Sequence, residues 1–284
     1  MTNLGGLLTL ISSVPNIILG KMAGISFIKF VIVAAPYVVL ASALTIAMAV
    51  RIFGIRRLAT DEERAEAAEL VASFDENDGV GSRLFFNVSW LLLAGFILTI
   101  ATTTVIPYVK DLGMGFVAMS FAIIALIRYK HEVDKSYAGI DWDLLAFFTY
   151  LFVVIDTMEH AGVLTLIGDG IGYLIGAGEV VGGALLLWSS AIASSMTDNV
   201  PLAAVMGNIL QGGDTPSFLW WSTIFGTNLG GNFTPIGSAS TVVAVAIIYK
   251  NGLELSFGGF VSKAFLFAVA QLTLATAYVL LFLR

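Results

Sequence analysis

Residues 194–241 read SSMTDNVPLAAVMGNILQGGDTPSFLWWSTIFGTNLGGNFTPIGSAST. The stretch is rich in glycine, proline, asparagine, serine and threonine, yet it lies in the most apolar part of the chain. Irregular backbone at membrane depth is tolerated only where it is buried in protein or lines a polar cavity. The stretch also has a counterpart at the other end of the sequence. Thr2-Asn3-Leu4-Gly5-Gly6 recurs as Thr227-Asn228-Leu229-Gly230-Gly231, an offset of 225 residues. The register then holds without a gap, with Thr9 falling on Thr234, Ile11 on Ile236 and Ser13 on Ser238. A fixed offset is the signature of a repeat, so the chain reads as a duplication.

Working outward, residues 183–196 are apolar but only 14 long, about 21 Å as a helix and too short to cross a bilayer. They stop at Thr197-Asp198-Asn199-Val200-Pro201, and a second apolar arm, 202–210, follows. Two half-length arms around a polar tip predict a re-entrant hairpin over 183–210. Residues 217–249 read as a long span broken by the glycine-rich motif, and 257–283 as the last span. Upstream, 142–158 is a span and 161–178 a glycine-spaced interfacial segment. Four regions result: 1–50, a broken helix plus a span; 51–84, a cytoplasmic loop whose DEERAEAAELVASF predicts a surface helix; 85–141, spans at 85–106 and 113–127 with a second cytoplasmic loop; and 142–284, the second repeat.

The totals agree with this. Hydrophobic residues make up 58 % of the chain and charged ones 12 %, and apolar runs of bilayer-spanning length recur. A multi-pass protein of the cell membrane is expected, with the lipid bilayer as its main partner. No Lys or Arg precedes the first apolar run, so nothing reads as a removable signal peptide, and no nucleic-acid footprint is visible. Cysteine is absent and only His131 and His160 are present, which speaks against disulfides, thiol catalysis and Cys- or His-built metal sites. Placing loops 51–84 and 128–141 inside, with 183–210 as a hairpin, puts 10 of the 14 Lys and Arg residues in the cytoplasm, as the positive-inside rule prefers.

Broken helices expose backbone groups that bind ions and substrates near the bilayer midplane. Around the second break Thr227, Asn228, Thr234, Ser238 and Ser240 offer side-chain oxygens, and Gly230 and Gly231 allow close backbone approach; the alternative is that the small residues only permit tight helix packing. Asp198 is the sharpest single residue, because a carboxylate in the membrane is expensive. It either binds a cation or a proton at the hairpin tip or caps the arm that begins there, and Asn199 carries the same pair of alternatives. Asp156, Glu159 and His160 read as interfacial, and Asp141 and Asp143 as helix-start carboxylates. An intramembrane enzyme would need Asp156 and Asp169 as a dyad, and no enzyme is expected.

At these residues the chain resembles the ion transporter superfamily of arsenite permeases, NhaD-type sodium/proton antiporters and citrate-type carboxylate carriers. DNVP, GTNLGGNFTPIGS, TLISSVPNIILGKMAGISFIKF and DWDLLAFF carry the resemblance, which covers essentially the whole chain. It implies an all-α polytopic membrane protein with an inverted repeat, each half holding a re-entrant hairpin and a discontinuous helix. Carried over, Thr197, Asp198 and Asn199 are site residues of the hairpin. Thr227, Asn228, Gly230, Gly231, Thr234, Pro235 and Ser238 belong to the second break, and Thr2, Asn3, Thr9, Pro15 and Asn16 to the first. A sodium ion at Asp198, Asn199 and Thr234, or a proton, is the expected coupling ion, with no other cofactor. About 85 residues of the second half precede its TNLGG, against one in the first, so a truncated first repeat is expected. A homodimer or a second membrane chain would then supply the missing hairpin. The expected function is ion-coupled secondary transport by alternating access, as sodium/proton-linked exchange or arsenite-type efflux. The alternatives are anion or di/tricarboxylate uptake, or a non-transporting membrane subunit.

Overall fold

The computed structural model describes residues 1–58, 60–72, 74, 80, 82–103, 109–130 and 133–284; His131 and the expected end of the 85–106 span fall outside them. The described residues are helical, with no strand among them. They form two compact units, Met1–Met48 with Trp142–Arg284, and Ala49–Asp141.

In the first unit, α1 (Thr2–Gly5) and α2 (Val14–Met22) flank a run of turns, and α3 (Phe27–Ile52) follows. The second unit holds α4 (Asp61–Ala72), α5 (Arg83–Thr102), α6 (Val109–Arg128) and α7 (Val133–Ala138). Within it α5 packs on α6, with Phe96 and Phe121 edge to face at 5.8 Å. The first unit resumes with α8 (Trp142–His160) and α9 (Val163–Ile175). Gly162 between them has φ +73°, a left-handed conformation natural to glycine, and the two helices meet at 78°. Then come α10 (Glu179–Met196), α11 (Asn199–Gln211), α12 (Ser217–Gly230), α13 (Ala239–Lys250) and α14 (Phe257–Tyr278), the last continuing as a π-helical turn over Val279–Leu283.

Four helices among the described residues are long and apolar enough to cross a membrane: Phe27–Ile52, Arg83–Thr102, Glu179–Met196 and Phe257–Leu283. Their outer faces expose Ile32, Val39, Leu91 and Leu266, side chains that only a lipid surface accommodates in such density. The chain is thus an all-α polytopic membrane protein. One expectation needs correction. The arm counted from Gly183 as too short begins four residues earlier, at Glu179, and runs for 18 residues. Glu179 suits a helix N-terminus and also pairs with Arg284 at 3.1 Å, so a charged residue opens a helix that hydropathy alone starts later. Length therefore no longer separates a hairpin arm from a span here.

The core of the first unit forms around α12, which is buried from Phe218 to Gly230. Of α3, Phe30 packs at a tilt on Trp221 (5.1 Å) and Tyr37 edge to face on Phe225 (4.7 Å) of α12. α10 also lies against α12, with the two backbones in close approach. A Cβ on Gly226 would run into the Leu187 carbonyl, and one on Gly230 into the Ala191 carbonyl and the Ser194 side chain. This is a small-xxx-small crossing of the kind that lets membrane helices come into backbone contact. Of the two alternatives for Gly230, close approach to a ligand or tight helix packing, the packing is what its contact with Ala191 shows.

Gly230→Ala should therefore lower stability by about 1–3 kcal/mol, the usual cost of overpacking a tight core. Gly170→Ala, in α9 with nothing within 4 Å of the added carbon, should be neutral or stabilising by up to about 1 kcal/mol. Thermal unfolding of the two variants in detergent checks the contrast.

Candidate functional site

The two sequence copies adopt the same broken-helix conformation. The first copy leaves α1 at Gly5 and enters α2 at Val14; the second leaves α12 at Gly230 and enters α13 at Ala239, the same offset at both ends. Gly6 and Gly231 close the preceding helices with φ −60° and −61°. Ser13 and Ser238 open the following ones in extended conformations, φ −149° and −160°. The turn hydrogen bonds between them also match. Leu7 N–H to Leu4 O, Leu8 N–H to Gly5 O and Ser12 N–H to Thr9 O recur as Asn232 to Leu229, Phe233 to Gly230 and Gly237 to Thr234.

Equivalent residues then bond crosswise. Asn3 Nδ2 donates to Ser238 Oγ at 2.9 Å, and Ser13 Oγ donates to Asn228 Oδ1 at 2.8 Å. Asn3 is the counterpart of Asn228 and Ser13 that of Ser238, so each copy supplies the partner the other needs. Asn228 Nδ2 also reaches Asn16 Oδ1 (2.9 Å) and the Ile224 carbonyl (2.8 Å). The fully buried Asn16 holds the first break by donating to the carbonyls of Gly6 (2.7 Å) and Thr9 (3.0 Å). Gly231 makes the crossing possible, since a Cβ there would meet Asn3 Nδ2 and Ser238.

Between the breaks lies a cavity of about 200 Å³ lined by Thr2, Asn3, Gly6, Ser12, Ser13, Val14, Pro15, Asn199, Val200, Asn228, Ser238, Ala239 and Ser240. No side chain in this lining is ionisable. The N-termini of α2, α11 and α13 all open onto it. Ser13 leaves α2 without a side-chain cap, its hydroxyl being committed to Asn228. Asp198 caps α11 by accepting from Val200 N–H at 3.0 Å, and Ser238 caps α13 by accepting from Thr241 N–H at 3.3 Å.

The structure thus gathers Thr2, Asn3, Pro15, Asn199, Asn228 and Ser238 around one cavity, with Asn16 behind them. Asp198 and Thr197 are exposed and do not line it. Thr234 donates to the Ser195 carbonyl at 2.7 Å, tying the second break to α10, and Thr9 pairs with Ser12. Of the three residues expected to hold sodium, only Asn199 lines the cavity. Among the described residues no group of three or more His, Asp or Glu side chains could hold a metal. Thr227 is buried and its hydroxyl has no hydrogen-bond partner, while its carbonyl accepts from Ser194 Oγ at 2.6 Å. Glu159 and Asp169 line a separate cleft with Asn208.

Two parts of the network escaped the sequence reading. Ser13 was recoverable from Ser238 by the offset. Gln271 was marked only by being an amide inside the last apolar span, a position where polar side chains are costly. Its Oε1 accepts from Asn232 Nδ2 and its Nε2 donates to Thr45 Oγ1, both at 2.9 Å. Asn232 Oδ1 in turn accepts from Asn3 Nδ2 at 3.1 Å, so an unbroken chain of amides links the first break, the second break and α14, and the Thr45 hydroxyl extends it to α3.

Comparison with known proteins agrees with this architecture. The model of a family described as citrate transporter (CitMHS) matches residues 1–226. A 46 kDa membrane protein of Mycobacterium leprae is 30 % identical over 292 residues, covering 100 % of this chain and 65 % of that protein. An uncharacterized transporter of Mycobacterium tuberculosis is 28 % identical over 288 residues, covering 98 % of this chain and 64 % of its own length. The human P protein is 30 % identical over 182 residues, 60 % of this chain and 22 % of that protein. The chain therefore spans just under two thirds of the length of its mycobacterial relatives.

Asn16→Ala takes away the partner of the Gly6 carbonyl and of one Asn228 side-chain N–H in the protein interior and costs roughly 1–3 kcal/mol for each unsatisfied group. Ser12→Ala, at an exposed position, should stay within about 0.5 kcal/mol of the parent. Denaturation midpoints in detergent test the pair.

Proposed function

The chain belongs to the citrate transporter family, and from that premise we propose that it is an ion-coupled secondary transporter of the cell membrane that takes a small oxyanion, of the carboxylate class, through the cavity between the two breaks. One observation carries the reading. The cavity is lined without a single charged side chain, and it receives the N-terminus of α2 with its capping serine turned away. Val14 and Asn16 carry first-turn amides there, Pro15 having none. Helix N-termini with free N–H groups are anion sites, and α13 adds a second N-terminal dipole at Ala239. A lining built for cation exchange alone would instead present a carboxylate, and Asp198 is spent on capping α11.

The first-turn amides of α2 and the side chain of Asn199 are the groups we assign to ligand contact, with Asn3, Asn228, Ser13 and Ser238 forming the wall by bonding to one another. Hydroxyl and amide oxygens of Thr2, Asn3 and Ser240, with the carbonyls that the breaks release, offer the hard oxygen donors a sodium ion requires; sodium or a proton is the coupling ion. A neutral oxyacid such as arsenite is the second reading, favoured by the absence of any charge in the lining. Alternating access would then expose this one cavity to each side in turn.

Proteoliposomes holding the purified chain should accumulate radiolabelled citrate when an inward sodium or proton gradient is imposed. Asn228→Ala should reduce the rate by about tenfold or more, because it releases Ser13 and Asn16 from the positions that shape the cavity and each lost buried partner costs about 1 kcal/mol or more. Arsenite uptake with no citrate uptake would support the neutral oxyacid instead. Sodium/proton exchange with neither solute moving would reject both.

A further inference from the structure

α2 and α11 both start at the cavity and run outward side by side. Val14 and Asn199 line the cavity at their first turns, and Gly207, two turns along α11, touches Leu19 and Met22 of α2. With α8 beside them they enclose a groove of about 560 Å³. Its inner part is apolar, made by Val14, Ile17, Ile18 and Phe152, and its outer end is polar, made by Lys21 and Gln211. Val14 and Lys21 are seven residues apart on one helix, so the polar end stands about 10 Å further along the helix axis than the inner end. The groove is open to the surface of the bundle, with Ile17 37 % and Phe152 49 % exposed.

Lys21 is exposed and makes no ion pair among the described residues, although it is the only charged side chain of the groove. An apolar channel that ends in an unpaired ammonium and a side-chain amide is complementary to an amphiphile with an anionic head. In a protein whose outer surface meets acyl chains, that amphiphile is a lipid. Lysines placed between membrane helices bind anionic headgroups, and a choline headgroup would set a second cation against the ammonium.

We infer that this groove is a binding site for one anionic phospholipid. The phosphate is held by Lys21 Nζ and the Gln211 amide, and an acyl chain lies along Ile17, Ile18 and Phe152. The site is separate from the cavity between the breaks and stands whatever solute that cavity carries. It shares α2 and α11 with the cavity, so lipid composition bears on the same two helices that present their N-termini to the ligand.

The test is native mass spectrometry of the full chain released from nanodiscs that contain equal amounts of phosphatidylglycerol and phosphatidylcholine. One retained phosphatidylglycerol per chain is expected. Lys21→Gln should cut that occupancy by about tenfold, while Lys21→Arg should preserve it. Lys29→Gln, which removes an exposed lysine outside the groove, should leave it unchanged. A melt of each variant in the same detergent confirms that it is folded. Equal retention of both lipids, an unchanged occupancy in Lys21→Gln, or an equal loss in Lys29→Gln would overturn the site. So would release without any lipid, or as a dimer with none bound, since the groove would then be closed by protein.

Discussion

A helix that stops inside a membrane leaves N–H and C=O groups without partners, and there is no water at that depth to take them. This protein stops two helices, and each break satisfies the other. Asn3 and Ser13 of one copy bond to Ser238 and Asn228 of the other, so a single pair of residue types serves twice. Asparagine carries a donor and an acceptor on one amide, and serine donates and accepts through one hydroxyl. That chemistry lets the same motif meet its own copy without a mismatch. Neither break can change its conformation without disturbing the partner that completes it.

The breaks hold their place because the helices around them are packed at backbone contact. α10 meets α12 through Gly226 and Gly230, and Ser194 and Thr234 fasten α10 to the carbonyl of Thr227 and the second break. On the far side the amide chain from Asn3 through Asn232 to Gln271, extended by the Thr45 hydroxyl, reaches α14 and α3. Tyr37 adds a bond to the Gln271 carbonyl at 3.0 Å, and Tyr278 donates to the Val33 carbonyl in the turn ahead of Pro36, where a proline loosens the helix ladder. The cavity is therefore bounded by a hydrogen-bonded set drawn from both ends of the chain, which gives its small volume a defined shape.

Much of this was legible in the residues, and the failures have physical causes. The duplication was readable because the offset holds from Thr2 to Ser13, with eight of the twelve positions identical, and it paired Asn3 with Asn228. Gly230 was left with two readings because a glycine that admits a helix and a glycine that admits a ligand look alike in one dimension; the neighbour across the gap, here Ala191, shows the helix contact. Asp198 drew attention as a carboxylate beside apolar arms, yet a carboxylate at a helix start is as well explained by the amide it caps, and Val200 supplies that amide. Gln271 went unnoticed because its partners lie 39 and 226 residues away, a separation no local pattern encodes. The onset of α10 was misplaced for a related reason, since hydropathy does not count a charged residue that stabilises the first turn.

The same electrostatics give coupling a chemical reason. A helix N-terminus carries roughly half an elementary positive charge, so α2 and α13 together offer the cavity about one. The third N-terminus, α11, is already offset by the carboxylate of Asp198. One negative charge can be balanced by the protein; a carboxylate bearing two or three cannot, because no lysine or arginine lines the cavity to neutralise the remainder. On the carboxylate reading the excess must enter accompanied, by sodium ions on the hydroxyl and carbonyl oxygens of the breaks or by protons on the substrate itself. On that proposal a charge-free lining would make the cation part of the binding site: the substrate would be held well only with the cation there, and that mutual dependence would turn a cation gradient into a force on the anion.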